Sequence, residues 1–508
     1  MEGVVYKTRG SRSLMMTSLF WTWVRTTLVL GVTWSGLLAA SVAPRVGDTW
    51  RYQLLHESGY IDDCPVCDRP TLKRPLRGSF LLTPEPVNPL YARYTLTQVR
   101  LAVGGGLPGG ILLEGSGVLE VEGEVAVTQR LILKLTVRTD MGTEEVEFDS
   151  GHQPGEPQWP WIQLSAVEQK PSATRILNLQ LDTMPIRDLW FSTRSGFTAQ
   201  LGDPSGITIS PSDLISDQGH VVVSQSRLRS ALRVSNAEPL GNLDAAFVAA
   251  GGGFGFSLGS DIQSATLGMV HHGDLVSLQG GLLKSYADFG SALGPQPPIP
   301  DLGLDAVFQQ ADGSYLFSIQ KPTFSETLGV IVGRGDLVST TGRIVATASQ
   351  LLKVFHPLHP DQDYGLDSVF VWPTGEIWFS TEEAVPLEGG FFLSDGDLVS
   401  STGRIVYRNL ELLDRFGPLE DAANFGLDAL VVATDVGLPD VQAPVVRIRV
   451  DSAGNTLVLE WTAPGRFFQV EQSDSPLGPF RPVTPIVLAQ DQVLPTSRTA
   501  SFYRVIQW

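Results

Sequence analysis

The 508-residue chain carries 36 Lys and Arg against 54 Asp and Glu, a formal charge of −18, with 43% hydrophobic and only 18% charged residues. That apolar content excludes a disordered chain, and the acidity excludes a nucleic-acid binder, which needs clustered Lys and Arg to displace counterions from phosphates. With Gly 52 and Pro 34 the chain reads as a turn-rich, all-β protein, of about three domains at roughly 150 residues each.

Residues 1–43 read as a signal peptide. Lys7, Arg9, Arg12 and Arg25 stand against Glu2 alone, the uncharged run Thr26–Ala43 follows, and Ser41-Val42-Ala43 gives a small-x-small cleavage pattern, with cleavage after Ala40 as the competing choice. Met15 or Met16 is an alternative start. An uncleaved anchor is the other reading, since this run just reaches spanning length, and membrane contact is expected only through it. Removal of residues 1–43 takes the charge from −18 to −21.

The two cysteines, Cys64 and Cys67, sit in Ile61-Asp-Asp-Cys-Pro-Val-Cys-Asp-Arg-Pro70. Acidic flanks and Pro70 disfavour the helix N-terminus that a redox CxxC needs, and no second CxxC completes a zinc site. A disulfide-closed loop is the expected outcome in an exported chain, with metal and redox roles as alternatives.

Residues 44–185 alternate strongly, as in Gly117-Val-Leu-Glu-Val-Glu-Gly123 and Arg130-Leu-Ile-Leu-Lys-Leu-Thr-Val137. Period-two patterning with Gly and Pro punctuation predicts an N-terminal β-sandwich. Val103-Gly-Gly-Gly-Leu-Pro-Gly-Gly110 formally contains GxGxxG, but no helix pattern follows, so it reads as a hairpin loop and not a phosphate cradle. Trp159-Pro-Trp161 is either a sugar-stacking surface or an aromatic plug over the end of the domain.

Residues 186–434 repeat four times. Gly303-Leu-Asp-Ala-Val-Phe308 recurs as Gly365-Leu-Asp-Ser-Val-Phe370, Gly426-Leu-Asp-Ala-Leu-Val431 and, without the Gly, Asn242-Leu-Asp-Ala-Ala-Phe247; the Asp residues step by 61, 62 and 61. Gly335-Asp-Leu-Val-Ser339 recurs in the same steps at Gly273, Gly396 and, divergently, Ser212, and a Phe-Ser string accompanies each copy at residues 191, 256, 317 and 379. Four short strands per unit of about 60 residues predict a blade, and the whole a four-bladed β-propeller-like domain. The first copy begins at its second strand and the last ends after its first, so the final strand is expected to complete the first blade and close the ring. An open stack of β units is the alternative.

After a linker at residues 435–443, residues 444–508 form a last β unit. Leu457-Val-Leu-Glu-Trp461, Phe468-Gln-Val-Glu471 and Phe502-Tyr-Arg-Val505 resemble strands of fibronectin type III modules. That resemblance implies a small β-sandwich with aromatic core positions and a spacer or adhesion role. The middle repeat is similar to one found in secreted bacterial proteins, with an xDAL strand, a DGxxxFS hairpin and a GDLV strand. This likeness implies a location and a fold but no activity.

GxSxG, HExxH and Walker patterns are absent, and His271-His272 and His356-Pro-Leu-His359 are the only histidine clusters. The second reads as a surface loop, with metal binding as the alternative. The repeats do supply acidic turns: Asp361-Gln-Asp363-Tyr-Gly365-Leu-Asp367, with Asp301, Asp305, Asn424 and Asp428 at equivalent positions. No cofactor is expected, with Ca²⁺ as the alternative because oxygen ligands around a Gly turn suit it, although the bidentate Glu of an EF-hand is missing. The competing reading is that these side chains cap turns and satisfy backbone amides between blades. The functional expectation is an exported, non-catalytic binding or scaffolding protein for an extracellular carbohydrate or protein. The alternative is a hydrolase of glycans or phosphoesters at the propeller funnel.

Overall fold

A computed structural model describes residues 42–508 apart from 68–69, 105–109, 124–125, 173, 201–205, 236–237, 249–252, 300, 437–444, 451–455, 463–467, 474, 476–480, 485–490, 496–501 and 508. The signal-peptide expectation therefore lies outside the described residues, save its last two positions, and so does most of the Gly-rich string. No described helix is long and apolar enough to cross a membrane. The chain is all-β, as expected, with a few short helices.

The N-terminal strands are β1 (Trp50–Leu54), β2 (Gly59–Asp63), β3 (Leu72–Pro84), β4 (Tyr91–Val103), β5 (Ile111–Glu122), β6 (Thr128–Thr139), β7 (Gly142–Asp149), β8 (Gln153–Pro154), β9 (Ile162–Glu168) and β10 (Ile176–Met184). Instead of two stacked sheets they make one antiparallel sheet that returns on itself. From β3 it runs through β4, β5, β6 and β7 to β9, then to β10, which pairs with both β1 and β2 and through them regains β3. The expected sandwich is corrected on this point, and the cause is a split strand. β1 and β2 lie end to end along β3, with Arg51 opposite Leu81 and Ile61 opposite Lys73, so they occupy one position in the ring. Leu82, Leu96, Leu113, Leu133, Leu164 and Leu179 fill the interior and are at most 4% exposed. Cys64 and Cys67 form the expected disulfide just after β2, with Cα atoms 5.3 Å apart.

The repeats form four antiparallel sheets of four strands. Ile186–Phe191, Leu214–Ser216 and His220–Val223 are joined by Leu430–Thr434 from the far end of the region, so that Phe191 faces Leu430 and Leu189 faces Val432. The second sheet takes Leu243–Val248, Phe254–Leu258, Leu275–Ser277 and Leu282–Lys284; the third Val307–Gln309, Tyr315–Phe317, Leu337–Ser339 and Arg343–Ala346; the fourth Ser368–Val371, Ile377–Ser380, Leu398–Ser400 and Ile405–Tyr407. The four Leu-Asp strands neighbour one another in cyclic order: Leu243–Val248 lies against Val307–Gln309, then Ser368–Val371, then Leu430–Thr434, and back to Leu243–Val248. Each sheet carries a short hairpin between its second and third strands and is followed by a helix: α1 (Gln225–Leu232), α2 (Tyr286–Leu293), α3 (Ala348–Leu352) and α4 (Asn409–Leu412).

The repeated residues have identifiable tasks. In every copy the Asp of Gly-Asp-Leu-Val accepts from an amide three residues before it and from the first amide of the following helix. Asp274 holds His271 N and Tyr286 N at 2.9 and 2.8 Å, and Asp213, Asp336 and Asp397 repeat the pattern. These carboxylates satisfy donors that a helix start leaves open. The Phe-Ser hydroxyl reaches the next repeat: Ser192, Ser318 and Ser380 donate to the carbonyls of Leu243, Leu366 and Leu427, each at 2.8 Å. One apolar core continues from the β1–β10 interior into the first and fourth repeat sheets, whereas Leu459, Trp461, Phe468, Val470 and Leu494 form a separate C-terminal core.

Candidate functional site

The four Leu-Asp strands deliver Asp244, Asp305, Asp367 and Asp428 to one another, and all four are between 1% and 6% exposed. The second strands deliver a second set, at the position two residues past each Phe-Ser serine: Arg194, Gly259, Gln320 and Glu382. Opposite them, two residues before each Asp, stand Asn242, Gly303, Gly365 and Gly426.

These positions fit by size. A Cβ at Gly303, Gly365 or Gly426 would run into Gln320, Glu382 or Arg194, and one at Gly259 would run into Asn242. Where the first strand carries the bulky group the second carries Gly, which explains why the first copy of the motif lacks its glycine. Asn242 Nδ2 donates to Asp244 Oδ1 at 2.6 Å and Asp428 Oδ2 at 2.9 Å, and Gln320 Nε2 donates to Asp244 Oδ2 at 2.7 Å. Arg194 pairs with Asp367 at 2.7 Å, lies 3.6 Å from Asp428 and donates to the Glu382 carbonyl. Arg334 pairs with Glu382 at 2.6 Å and Glu383 at 2.9 Å.

The charges do not balance. Among the described residues, the four Asp and Glu382 face only Arg194 and Arg334 as cations. Burial pushes Asp244, Asp305 and Asp367 well above the usual carboxylate range and raises Asp428 and Glu382 as well; neighbouring carboxyls add to it, Asp428 on Asp244 and Asp367, and Glu382 on Asp305. Asp305 Oδ2, Glu382 Oε1 and Asp428 Oδ1 are buried and meet no ordinary donor among the described residues. Carboxyls in this position relieve their repulsion by sharing a proton. Chemically the ring can store protons, and it ties the four sheets together at their centre.

The seven sequence-derived acidic candidates do not gather into one shell. Asp305, Asp367 and Asp428 belong to the ring, together with Asp244. Asp301, Asp363 and Asn424 sit at three separate turns, where each accepts the amide of the glycine two residues on, at 2.9, 3.0 and 3.0 Å. Asp301 and Asp363 also hold the amides of Gly273 and Gly335, in the loops before the Gly-Asp-Leu-Val strands. These three cap turns as the competing reading expects, whereas the ring aspartates bond mainly side chain to side chain. Asp361 is exposed and stands apart. Sequence reasoning missed Arg194, Asn242, Gln320, Glu382 and Arg334. The signal was available: a position that varies freely, two residues past the repeated serine, inside an otherwise constant frame.

The aromatic pair of Trp159-Pro-Trp161 packs inward. Trp159 lies 5.0 Å from the Tyr94 ring, and Arg404 from the fourth repeat sheet lies 4.2 Å over Trp161, whose indole N–H donates to Asp182. Beside it, an open groove of about 480 Å³ is lined by Glu57, Lys73, Gln153, Gln163, Gln180 and Asp182. His356 and His359 lie after α3, with His359 exposed. No protein-family model matches the chain, and no curated protein is similar to it.

Proposed function

We propose that the chain is an exported, non-catalytic binding or scaffolding protein. It carries a closed four-bladed propeller-like domain between the N-terminal β domain and a fibronectin type III-like module, and it acts at the cell surface or outside the cell on a carbohydrate or protein. The observation that carries this reading is the placement of the repeat carboxylates: apart from the exposed Asp361, the motif aspartates are spent on a turn amide, a helix start or the buried ring, so the repeats invest them in holding four sheets together. Cyclic neighbouring of the Leu-Asp strands supports the closed propeller. In the C-terminal unit, Val445–Val450, Thr456–Thr462 and Asp491–Pro495 form one sheet and Arg481–Pro482, Phe468–Ser473 and Phe502–Gln507 another, an arrangement that supports the two-sheet module.

The groove on β9 and β10 is the ligand seat in this reading, because amides and single charges on an open polar surface match sugar hydroxyls. The test is retention of the full chain on immobilised polysaccharides, compared with Gln163→Ala/Gln180→Ala. Binding that weakens about tenfold or more in the double variant supports the reading, and binding unchanged by it removes the groove. One observation favours the hydrolase instead: Asp305 faces Glu382, a carboxyl pair whose proton affinity burial raises. Hydrolysis of a glycan or phosphoester by the full chain, abolished in Glu382→Gln, would replace the binding reading.

A further inference from the structure

Asp261 follows the bend after the second strand of the second sheet, which ends at Leu258, and directly precedes the hairpin Ile262–Ser264/Gly268–Val270; His271 and His272 follow its return strand. Pairing of Ile262 with Val270 brings the two flanks together. Asp301 arrives from the next repeat, fixed by its bonds to the amides of Gly273 and Gly303. A ring nitrogen of His271 and one carboxylate oxygen each from Asp261 and Asp301 then lie within 4.8 Å of one another.

We propose that Asp261, His271 and Asp301 bind one borderline divalent ion of the Zn²⁺ class, with His272 as the side chain that orients both carboxylates. His271 Nδ1 stands 3.1 Å from Asp261 Oδ2. Two ligands of one ion, each bonded at about 2.0–2.1 Å, stand at a comparable separation, so little movement is needed to admit the metal. One imidazole and two carboxylates suit zinc, cobalt or manganese; calcium prefers a larger shell of oxygens alone. Asp261 and His271 are 44% and 34% exposed, leaving room for water as a further ligand, while Asp301 is nearly buried.

His272 is the supporting residue. Lys321 Nζ lies 3.2 Å from its Nε2, so that nitrogen accepts and Nδ1 carries the proton. It donates to Asp261 Oδ1 at 2.8 Å and lies 3.2 Å from Asp301 Oδ2. Hydrogen-bonded histidines and carboxylates of this kind hold metal ligands in place. The repeat frame does not impose the arrangement: the position of His272 is Arg334 in the third copy, paired with Glu382 and Glu383, and Asp395 in the fourth, bonded to Asn424. The inference stands independently of the proposed function.

The test titrates the full chain, stripped with EDTA, with ZnCl₂ by calorimetry and with CoCl₂ by visible absorption. One equivalent with micromolar or tighter affinity is expected, weakened at least about tenfold in His271→Ala and in Asp261→Asn and unchanged in His356→Ala. Lys321→Gln keeps an N–H donor for His272 Nε2 and the Asp301 carbonyl while removing a neighbouring cation, and should therefore tighten binding. Absence of a stoichiometric site, or a site indifferent to His271, Asp261 and Lys321, overturns the proposal, and circular dichroism of each variant excludes misfolding as the cause.

Discussion

Arg194 is the one cation in its set of four, beside Gly259, Gln320 and Glu382. Gly426 leaves the space for it, Asp367 and Asp428 face its guanidinium, and the Glu382 carbonyl takes one of its protons. Removal of one partner from a buried ion pair leaves an uncompensated charge, which costs more than the pair itself contributes. Arg194 is itself 39% exposed, so water screens part of that charge, and Arg194→Met is expected to lower stability at pH 8 by about 1 kcal/mol in urea unfolding. The loss should shrink at pH 5, because carboxyls whose proton affinity burial has raised can take up a proton instead of the missing cation. An equal loss at both pH values would mean that the ring aspartates are not sharing protons. Glu382→Gln is the complementary case. Its amide can donate to Asp305 and accept from Arg334, so it imitates the protonated carboxyl and should leave stability at pH 8 unchanged or higher.

At the scale of the element, period and punctuation in the sequence located the repeat strands, and the Asp and Ser of the motifs proved to be clamps between successive units. The direction of the Leu-Asp carboxylates was not legible. Leu304, Asp305 and Ala306, which lead into the strand Val307–Gln309, are all buried, so they show no alternation that would tell which side faces the ring. Closure of β9 on β10 was equally hidden: a sheet with one buried face alternates in the same way whether it stacks on another sheet or curls onto itself. Asp261, His271 and Asp301 are 40 residues apart end to end and meet only because a hairpin and a turn cap bring them together. The closing strand Leu430–Thr434 gives the sharpest test at this scale. A chain ending at Val436 keeps the strand and the Arg187–Asp435 ion pair; a chain ending at Phe425 loses both. The longer chain is expected to unfold in one cooperative urea transition, and the shorter to lose the first sheet, with a lower midpoint and slope. Indistinguishable curves would show that the first sheet needs no partner from the end of the region.

For the molecule as a whole, the N-terminal strands and the repeats share one apolar core and a set of polar contacts. Tyr407 donates to the Leu54 carbonyl at 2.7 Å, the His56 amide donates to Val406 O, and Arg404 reaches Trp161, Asp182 and Glu376. Asp217 is the titrating element of this junction. Gln53 from β1 donates to it, Leu189 N lies 3.1 Å from its other oxygen, and burial followed by the neighbouring Asp188 carboxylate pushes it up to about 7. In an unfolded chain the same group titrates near about 4, so the folded state binds the proton more tightly. Its contribution is complete below about pH 4 and is lost as the pH rises through 7. Asn at this position cannot ionise, but it gives up one acceptor for Gln53. Asp217→Asn should accordingly be slightly less stable than the natural chain at pH 5 and more stable, by a few degrees in Tm, at pH 8. The two stability curves should cross near neutrality. Parallel curves would place the titrating group elsewhere, and a second thermal transition appearing only in the natural chain above pH 7 would locate the loss at this junction, with the β1–β10 unit separating from the repeats before either melts.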